Sequence, residues 1–327
     1  MSFGSGPRCP SCAARALSRT DRVLRYEDGT RRSFAFACAS CGLLTDGDLD
    51  AADRVLAGLS AGPYVASPDD PFGLDLYTLR SAALGRNLLA VPADGIQADS
   101  LRAPHSERAA AATLLPLSDG PRQAISLGIL CTAAEAEGVL GSLAPYAAFA
   151  SDVTILADGT ALAPAVVEAD GFDAGRVRLA RRTLAGNFAA QRNALQAMAR
   201  EDWMLQLDSD ESLAPALARR LPSIAGLAQA DAMVSVGLTR RNLVDGILSD
   251  VFPDVQYRLN RREVRYAGLV HERPDRAWHR SLLVPGEGID HHLARGRVLS
   301  RSRAYEALAP GRGRLAEAED LLKPYRD

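Results

Sequence analysis

The chain has 327 residues, 47% of them hydrophobic, which is enough for one large domain or two smaller ones with a real core. A net charge of -2 gives no general pull toward nucleic acid or anionic membrane, and no run of about 18 apolar residues is present to span a bilayer. The opening MSFGSGPRCPSC lacks the apolar stretch of a secretory signal, so the cytoplasm is the expected location.

In chain order, the first feature is a pair of CxxC motifs, Cys9-Pro-Ser-Cys12 and Cys38-Ala-Ser-Cys41, separated by 25 residues. Two such knuckles close a tetrahedral Zn2+ site with four thiolates, which staples a segment too small for its own core. A redox CxxC or a disulfide pair fits a cytosolic setting less well. Residues 1–60 therefore read as a zinc-ribbon-like module, with strands at 23–26 and 33–36 around an Asp28-Gly29 turn. The ribbon resembles the small zinc-binding module ahead of many bacterial sugar and methyl transferases, although no glycine-rich methyltransferase motif follows it here. Cys131, alone in an apolar run, reads as a core residue.

Residues 61–121, rich in Pro, Asp, Ala and Gly, read as a linker region of uncertain structure, with a weak helical stretch at 74–89 and breakers at Pro92, Pro104 and Pro116. From residue 122 to 327 the pattern becomes regular. Apolar runs at 125–131 and 153–157 and short strands at 176–180 and 203–207 alternate with helical stretches at 135–146 and 187–200. This alternation predicts an α/β domain with a mostly parallel sheet wound with helices, in which ligands bind beyond the carboxyl ends of the strands. A C-terminal helical stretch at 301–325 is broken at Pro310-Gly311.

Two strands end in acids: Asp158 closes the second, and Asp208, Asp210 and Glu211 follow the fourth. Side chains two apart on an extended backbone point the same way, so Asp208 and Asp210 converge. Such a pair suits Mg2+ or Mn2+, which also takes water and phosphate oxygens. A calcium loop starting at Asp208 fails, because Leu213 stands where Gly is needed and Arg219 where Glu is needed. An acidic cap for a helix beginning near Ser212 explains one carboxylate of the three. On the preceding helix Gln191 and Arg192 fall on the same face as Phe188, Leu195 and Met198, where polar groups need partners.

The stretch NFAAQRNALQAMAREDWMLQLDSDESL resembles the central signature of family 2 glycosyltransferases of the GT-A fold, particularly the bacterial lipopolysaccharide-core glucosyltransferases. Its Gln191, Arg192 and Asn193 precede a strand ending in Asp208, Asp210 and Glu211. A second signature, FPDVQYRLNRREVRYAGLVHERP, supplies Gln256, Arg258, Leu259, His271 and Glu272. The resemblance covers residues 124–295. It implies an inverting transfer from a nucleotide-sugar, UDP-linked in first choice, to a glycan or lipid-linked acceptor in cell envelope polysaccharide biosynthesis, with peripheral membrane association through that acceptor.

Carried over by residue, the resemblance implies nucleoside contact at Asp158, nucleotide contacts at Gln191, Arg192, Asn193 and Asp208, and a divalent cation at Asp208 and Asp210 with His291 and His292. Glu272 would be the general base, with His271 beside it. The family's Asn-Glu pair after the first strand is Ala134-Glu135 here, and the second strand ends in Ala-Asp-Gly-Thr without the usual acids. The eleven arginines against five acids over 258–303 fit a diphosphate or an anionic acceptor. An alternative reading is a GT-A-like domain without catalysis, carrying a zinc-ribbon binding module for protein or nucleic acid. The ribbon, however, has no dense basic patch with interleaved aromatics, so nucleic acid is not an expected partner. A nucleotidyltransferase would need a glycine-rich phosphate loop after the first strand, which residues 130–134 do not supply.

Overall fold

The computed structural model describes residues 6–101 and 105–326; the expected breaker Pro104 lies outside the described residues. The chain divides into two compact units. The first comprises Met1–Pro121 with Trp278–Gly286, and the second Arg122–Ala277 with Glu287–Arg326.

In the first unit the two cysteine knuckles flank a short antiparallel ladder, Leu17–Arg19 against Phe36–Cys38, extended by Leu44–Thr45 and Phe72–Gly73. The expected hairpin forms, but its second strand is Arg31–Ser33 in place of 33–36. Gly29 takes the left-handed conformation (φ +86°), so the chain re-enters the ladder at Arg31, and Phe36 is freed to pair with Arg19. Leu24, Tyr26, Phe34 and Leu44 pack with Ala66 and Ala109 into a buried cluster.

Residues 61–121, expected as a linker, carry regular structure within this unit. Gly62–Val65, Ala111–Pro116 and Leu88–Pro92 form a three-stranded antiparallel sheet. The helix Leu76–Leu84 starts at Asp75, whose side chain accepts the Thr78 amide hydrogen, and every residue of the helix is buried. A helix buried on all faces lacks a polar stripe, which is why it reads as only weakly helical in sequence. Trp278–Gly286 completes the unit: Leu282, Leu283 and Val284 are buried, and the Tyr77 hydroxyl donates to the Ser281 carbonyl at 2.9 Å.

The second unit is a mixed α/β layer structure. Its elements are β1 (Ile125–Thr132), α1 (Ala136–Gly141), β2 (Ala150–Asp158), β3 (Leu162–Val167), β4 (Val177–Arg181), α2 (Phe188–Gln196) and β5 (Trp203–Asp208). They continue with β6 (Glu211–Leu213), α3 (Pro215–Ala230), β7 (Ser235–Val244), β8 (Asp254–Arg261), β9 (Ser281–Leu293, whose residues 281–286 belong to the first unit), α4 (Arg295–Leu308) and α5 (Leu315–Leu321). The sheet order is β3-β4-β2-β1-β5-β8-β7-β9-β6. The β4-β2-β1-β5 block is parallel, whereas β3 and β8 join it antiparallel. This is a large sheet with a parallel block and flanking helices, a layout consistent with a GT-A-like core.

The stretches at 125–131, 153–157 and 203–207 fold as expected because each is buried on both faces of the parallel block, with Leu127, Val153, Ile155 and Leu205 fully enclosed, whereas the strand Val177–Arg181 buries only Val177 and Ala180. Gly128 lets α2 approach β1: a Cβ there would lie 2.8 Å from Leu195. Three boundaries differ from expectation. The helix expected over 135–146 is α1 followed by a 3₁₀ turn over Ala144–Ala148, since Pro145 removes an amide donor and biases Ala144 away from helix. The helix expected near Ser212 starts at Pro215, because Glu211–Leu213 pairs with β9 instead. The C-terminal helix starts earlier, at Arg295, and breaks as expected at Pro310-Gly311.

Candidate functional site

A cavity of about 380 Å³ opens beyond the carboxyl ends of β1, β2 and β5 in the second unit. Strand alternation sets much of its wall. Asp254, Gln256 and Arg258 face it from β8, Arg240 and Asn242 from β7, and His291 and Leu293 from β9, each set at a spacing of two. Helix α4 adds Arg297, Arg301 and Tyr305, four residues apart and therefore on one stripe.

At the floor lies a charge network. Arg192, buried on α2, donates from Nη2 to both Asp208 oxygens at 2.8 Å and from Nε to Glu272 Oε1. Arg258 reaches Asp208 Oδ2 at 3.0 Å and Glu211 Oε1 at 3.3 Å. Arg240 donates to the same Glu211 oxygen at 3.0 Å and, from Nε, to Asp254 at 3.0 Å; residues 240 and 254 are direct cross-strand partners. Burial opposes charge on Asp208, yet Arg192 and Arg258 outweigh it and hold the carboxyl well below its ordinary range. Glu272 is likewise lowered: burial pushes it up, and the same two guanidiniums push it further down. Both are ionised at neutral pH. The Nη1 group of Arg192 is buried without a hydrogen-bond partner and belongs to a residue that lines the cavity.

Asp210 sits beside this network with different company. Its Oδ2 is 3.4 Å from His291 Nε2 and 3.5 Å from Arg301 Nη1. Asn242 orients the imidazole: its amide nitrogen faces the Val251 carbonyl and Asp254, so its oxygen meets His291 Nδ1 at 2.8 Å. His291 therefore donates from Nδ1 and presents Nε2 to Asp210, the arrangement that orients metal-binding histidines.

The expected site residues divide into two groups. The structure brings Asp158, Gln191, Arg192, Asp208, Asp210, His271, Glu272 and His291 to the cavity wall. Asp158 accepts the Leu184 amide hydrogen at 2.8 Å, and Gln191 is occupied with Arg182 through both amide atoms. Asn193 and His292 are placed elsewhere. Both side-chain atoms of Asn193 bond the backbone of Tyr266, at 2.7 and 2.9 Å, so it pins that strand and does not face the cavity. His292 alternates to the opposite face of β9 from His291 and pairs with Ser212 at 2.9 Å, so it is not a ligand with Asp210. His271 holds a left-handed backbone (φ +51°), and burial together with Arg314 lowers it to about 4, so it is neutral at pH 7.

Sequence reasoning missed Arg240, Asp254, Asn242 and Tyr305, and it covered Arg301 only as one of the eleven arginines over 258–303. The period-two spacing of charged residues along β7 and β8 was the available signal. Glu135 accepts from the Thr132 amide at 2.8 Å and Ser209 Oγ at 3.1 Å and also lines the cavity.

A second candidate centre lies in the first unit. All four cysteines are buried, with their sulfurs within 4.8 Å of one another; the Cys9–Cys41 and Cys12–Cys38 separations are each 3.7 Å. Tetrahedral Zn–S bonds of about 2.3 Å place sulfurs about 3.8 Å apart, so the cluster fits structural zinc. Gly42 (φ +91°) and Ala13 (φ +60°) turn the chain immediately after each knuckle. Among the described residues this is the one group of three or more such side chains close enough to share an ion. A cation at Asp210 and His291 would complete its shell with water and ligand oxygens.

No family model matches the chain, and no curated protein matches it. Solved structures similar to it include that of S. aureus TarS 1-349, at 9% identity and a TM-score of 0.33 over 61% of this chain and 69% of that one. TarS 1-349 in complex with UDP gives 10% identity and a TM-score of 0.34 over 61% and 70%. Among the described residues no helix is long and apolar enough to cross a membrane.

Proposed function

We propose that the chain is a glycosyltransferase that moves a sugar from a nucleoside diphosphate donor, UDP-linked in first choice, to a glycan or lipid-linked acceptor with inversion. The observation that supports this most is the cavity beyond the parallel strands, where Asp208, Asp210 and Glu272 stand against Arg192, Arg258 and Arg301. In this reading the second unit, within residues 122–327, is the transferase domain, and residues 1–60, with 61–121 folded in the same unit, are a zinc-binding module.

Asp158 and Gln191 border the nucleoside end, and Asp208, fixed by two guanidiniums, offers its outer lone pairs to ribose hydroxyls. Asp210 and His291 Nε2 would hold a divalent cation, and a carboxylate with an imidazole suits Mn2+ better than Mg2+. When bound, that cation offsets charge on the diphosphate. The acceptor hydroxyl attacks the anomeric carbon opposite the diphosphate. Its proton passes to Glu272, whose Oε1 is engaged by Arg192 while Oε2 remains for the proton. The C–O bond to the diphosphate breaks, and its electron pair stays on the oxygen of the departing nucleoside diphosphate.

One observation favours the alternative, a binding protein without catalysis: Glu272 is ion-paired, which weakens it as a base. Calorimetric titration with UDP and GDP, each with and without Mn2+, tests the transferase reading. The expected result is metal-dependent UDP binding, weakened about tenfold or more in Asp210→Asn. Absence of binding under every condition would overturn the reading. Binding without hydrolysis or transfer of any UDP-sugar would move the conclusion to the alternative.

A further inference from the structure

The two groups that would hold the cation are already addressed by one positive charge. Arg301 Nη1 lies 3.5 Å from Asp210 Oδ2 and 3.4 Å from His291 Nε2, and those two atoms are 3.4 Å from each other. The Asn242 hydrogen bond turns His291 Nε2 toward this guanidinium. All three separations are long for charge-assisted hydrogen bonds, which run at about 2.7–2.9 Å. The arrangement neutralises the pair without locking it.

Resting on the transferase reading, we propose that Arg301 is the resident counter-charge of the Asp210–His291 pair, and that it transfers to the diphosphate when a divalent cation enters. A cation bound at Asp210 and His291 would lie within a few ångströms of the guanidinium, so the two positive charges compete for the pair. A diphosphate supplies the acceptor onto which Arg301 can move, from the same stripe as Arg297 and Tyr305. Metal and nucleotide then bind cooperatively, with Arg301 as the physical coupling.

The helix that carries Arg301 is suited to such a shift. Val298 is the one buried residue of α4, packed with Val244, Leu293 and Ala318. Tyr305 on the same helix makes edge-to-face contacts with Phe188 and His271, ring centres 5.7 and 5.2 Å apart. His271 is next to Glu272, so the helix that holds the cation's place also borders the residue proposed to take the proton.

The test uses the full-length, zinc-loaded protein and Arg301→Gln, with free Mn2+ read by electron paramagnetic resonance and UDP binding by calorimetry. Without nucleotide, the variant should bind Mn2+ about tenfold more tightly than wild type; at saturating Mn2+, it should bind UDP about tenfold more weakly. Opposite signs are the signature, because a variant that merely loosens the fold weakens both. Arg301→Lys, which keeps the charge, should stay close to wild type in Mn2+ affinity. Unchanged affinities in Arg301→Gln, or a fall in both, would overturn the proposal while wild-type Mn2+-dependent UDP binding leaves the transferase reading standing. If wild type binds no Mn2+ even with UDP present, the metal part of that reading falls together with this proposal.

Discussion

Arg192 shows how much one side chain carries here. It is buried, and its two partners, Asp208 and Glu272, come from β5 and from a loop far along the chain. Removing one partner of a buried ion pair leaves uncompensated charge, so Arg192→Met should lower unfolding free energy by roughly 3–5 kcal/mol in urea at pH 7. The sign with pH follows from the carboxylates. Glu272 is held below its ordinary value when folded, so its contribution is present above about pH 4.3 and is lost as pH falls through the folded value. The wild-type advantage over Arg192→Met should therefore shrink as pH drops from 5 toward 3; a gap constant across that window would contradict the assignment. Glu272→Gln separates two roles of the carboxylate. As the proton acceptor, its loss should slow transfer about 10²–10⁴-fold with UDP affinity within a few-fold of wild type. A comparable loss of UDP affinity would instead mark Glu272 as a prop for Arg192.

At the scale of elements, what could be read in the sequence followed local chemistry. Cysteine spacing located both knuckles, and apolar runs located β1, β2 and β5, because those strands are buried on both faces and owe little to distant partners. The acids after β5 were legible as a cluster, but not as members of different sets: Asp208 and Glu211 join the arginine network, whereas Asp210 joins His291 and Arg301. That division depends on β6 pairing with β9, about eighty residues later, which no local pattern encodes. The same pairing turned an expected helix start into a strand and put His292 on the wrong face for a ligand. For the cysteine cluster the expectation is direct. In the full chain, Cys38→Ser or a strong chelator should melt the first unit's ladder, read as lost amide protection over Leu17–Arg19 and Phe36–Cys38. Protection that survives metal removal would show that the cluster of Leu24, Phe34 and Leu44 suffices alone.

At the scale of the whole molecule, the boundary between the units is not a single cut in the sequence. Residues 61–121 looked like a linker because breakers interrupt them, and 278–286 looked like part of the C-terminal α/β domain because it lies inside its span. The structure joins these two stretches: Trp278 stacks on His105 with ring centres 5.5 Å apart, and Leu282 and Val284 are completely buried. Contacts between segments so far apart leave no periodic trace in either one, which explains why composition misjudged both. A consequence follows for folding. A fragment of residues 1–121 would retain all four cysteines and should bind zinc, but it would lack three buried side chains, Leu282, Leu283 and Val284. Fully burying each such side chain contributes about 1.5–3 kcal/mol, a large fraction of what a domain of this size holds in reserve. The zinc-loaded fragment should therefore show protected amides around the knuckles and little protection over Leu76–Leu84, whose Tyr77 has lost the Ser281 carbonyl. Adding a peptide spanning residues 278–286 should restore part of that protection. Full protection of the helix in the fragment alone would mean that the late segment decorates the unit without completing it.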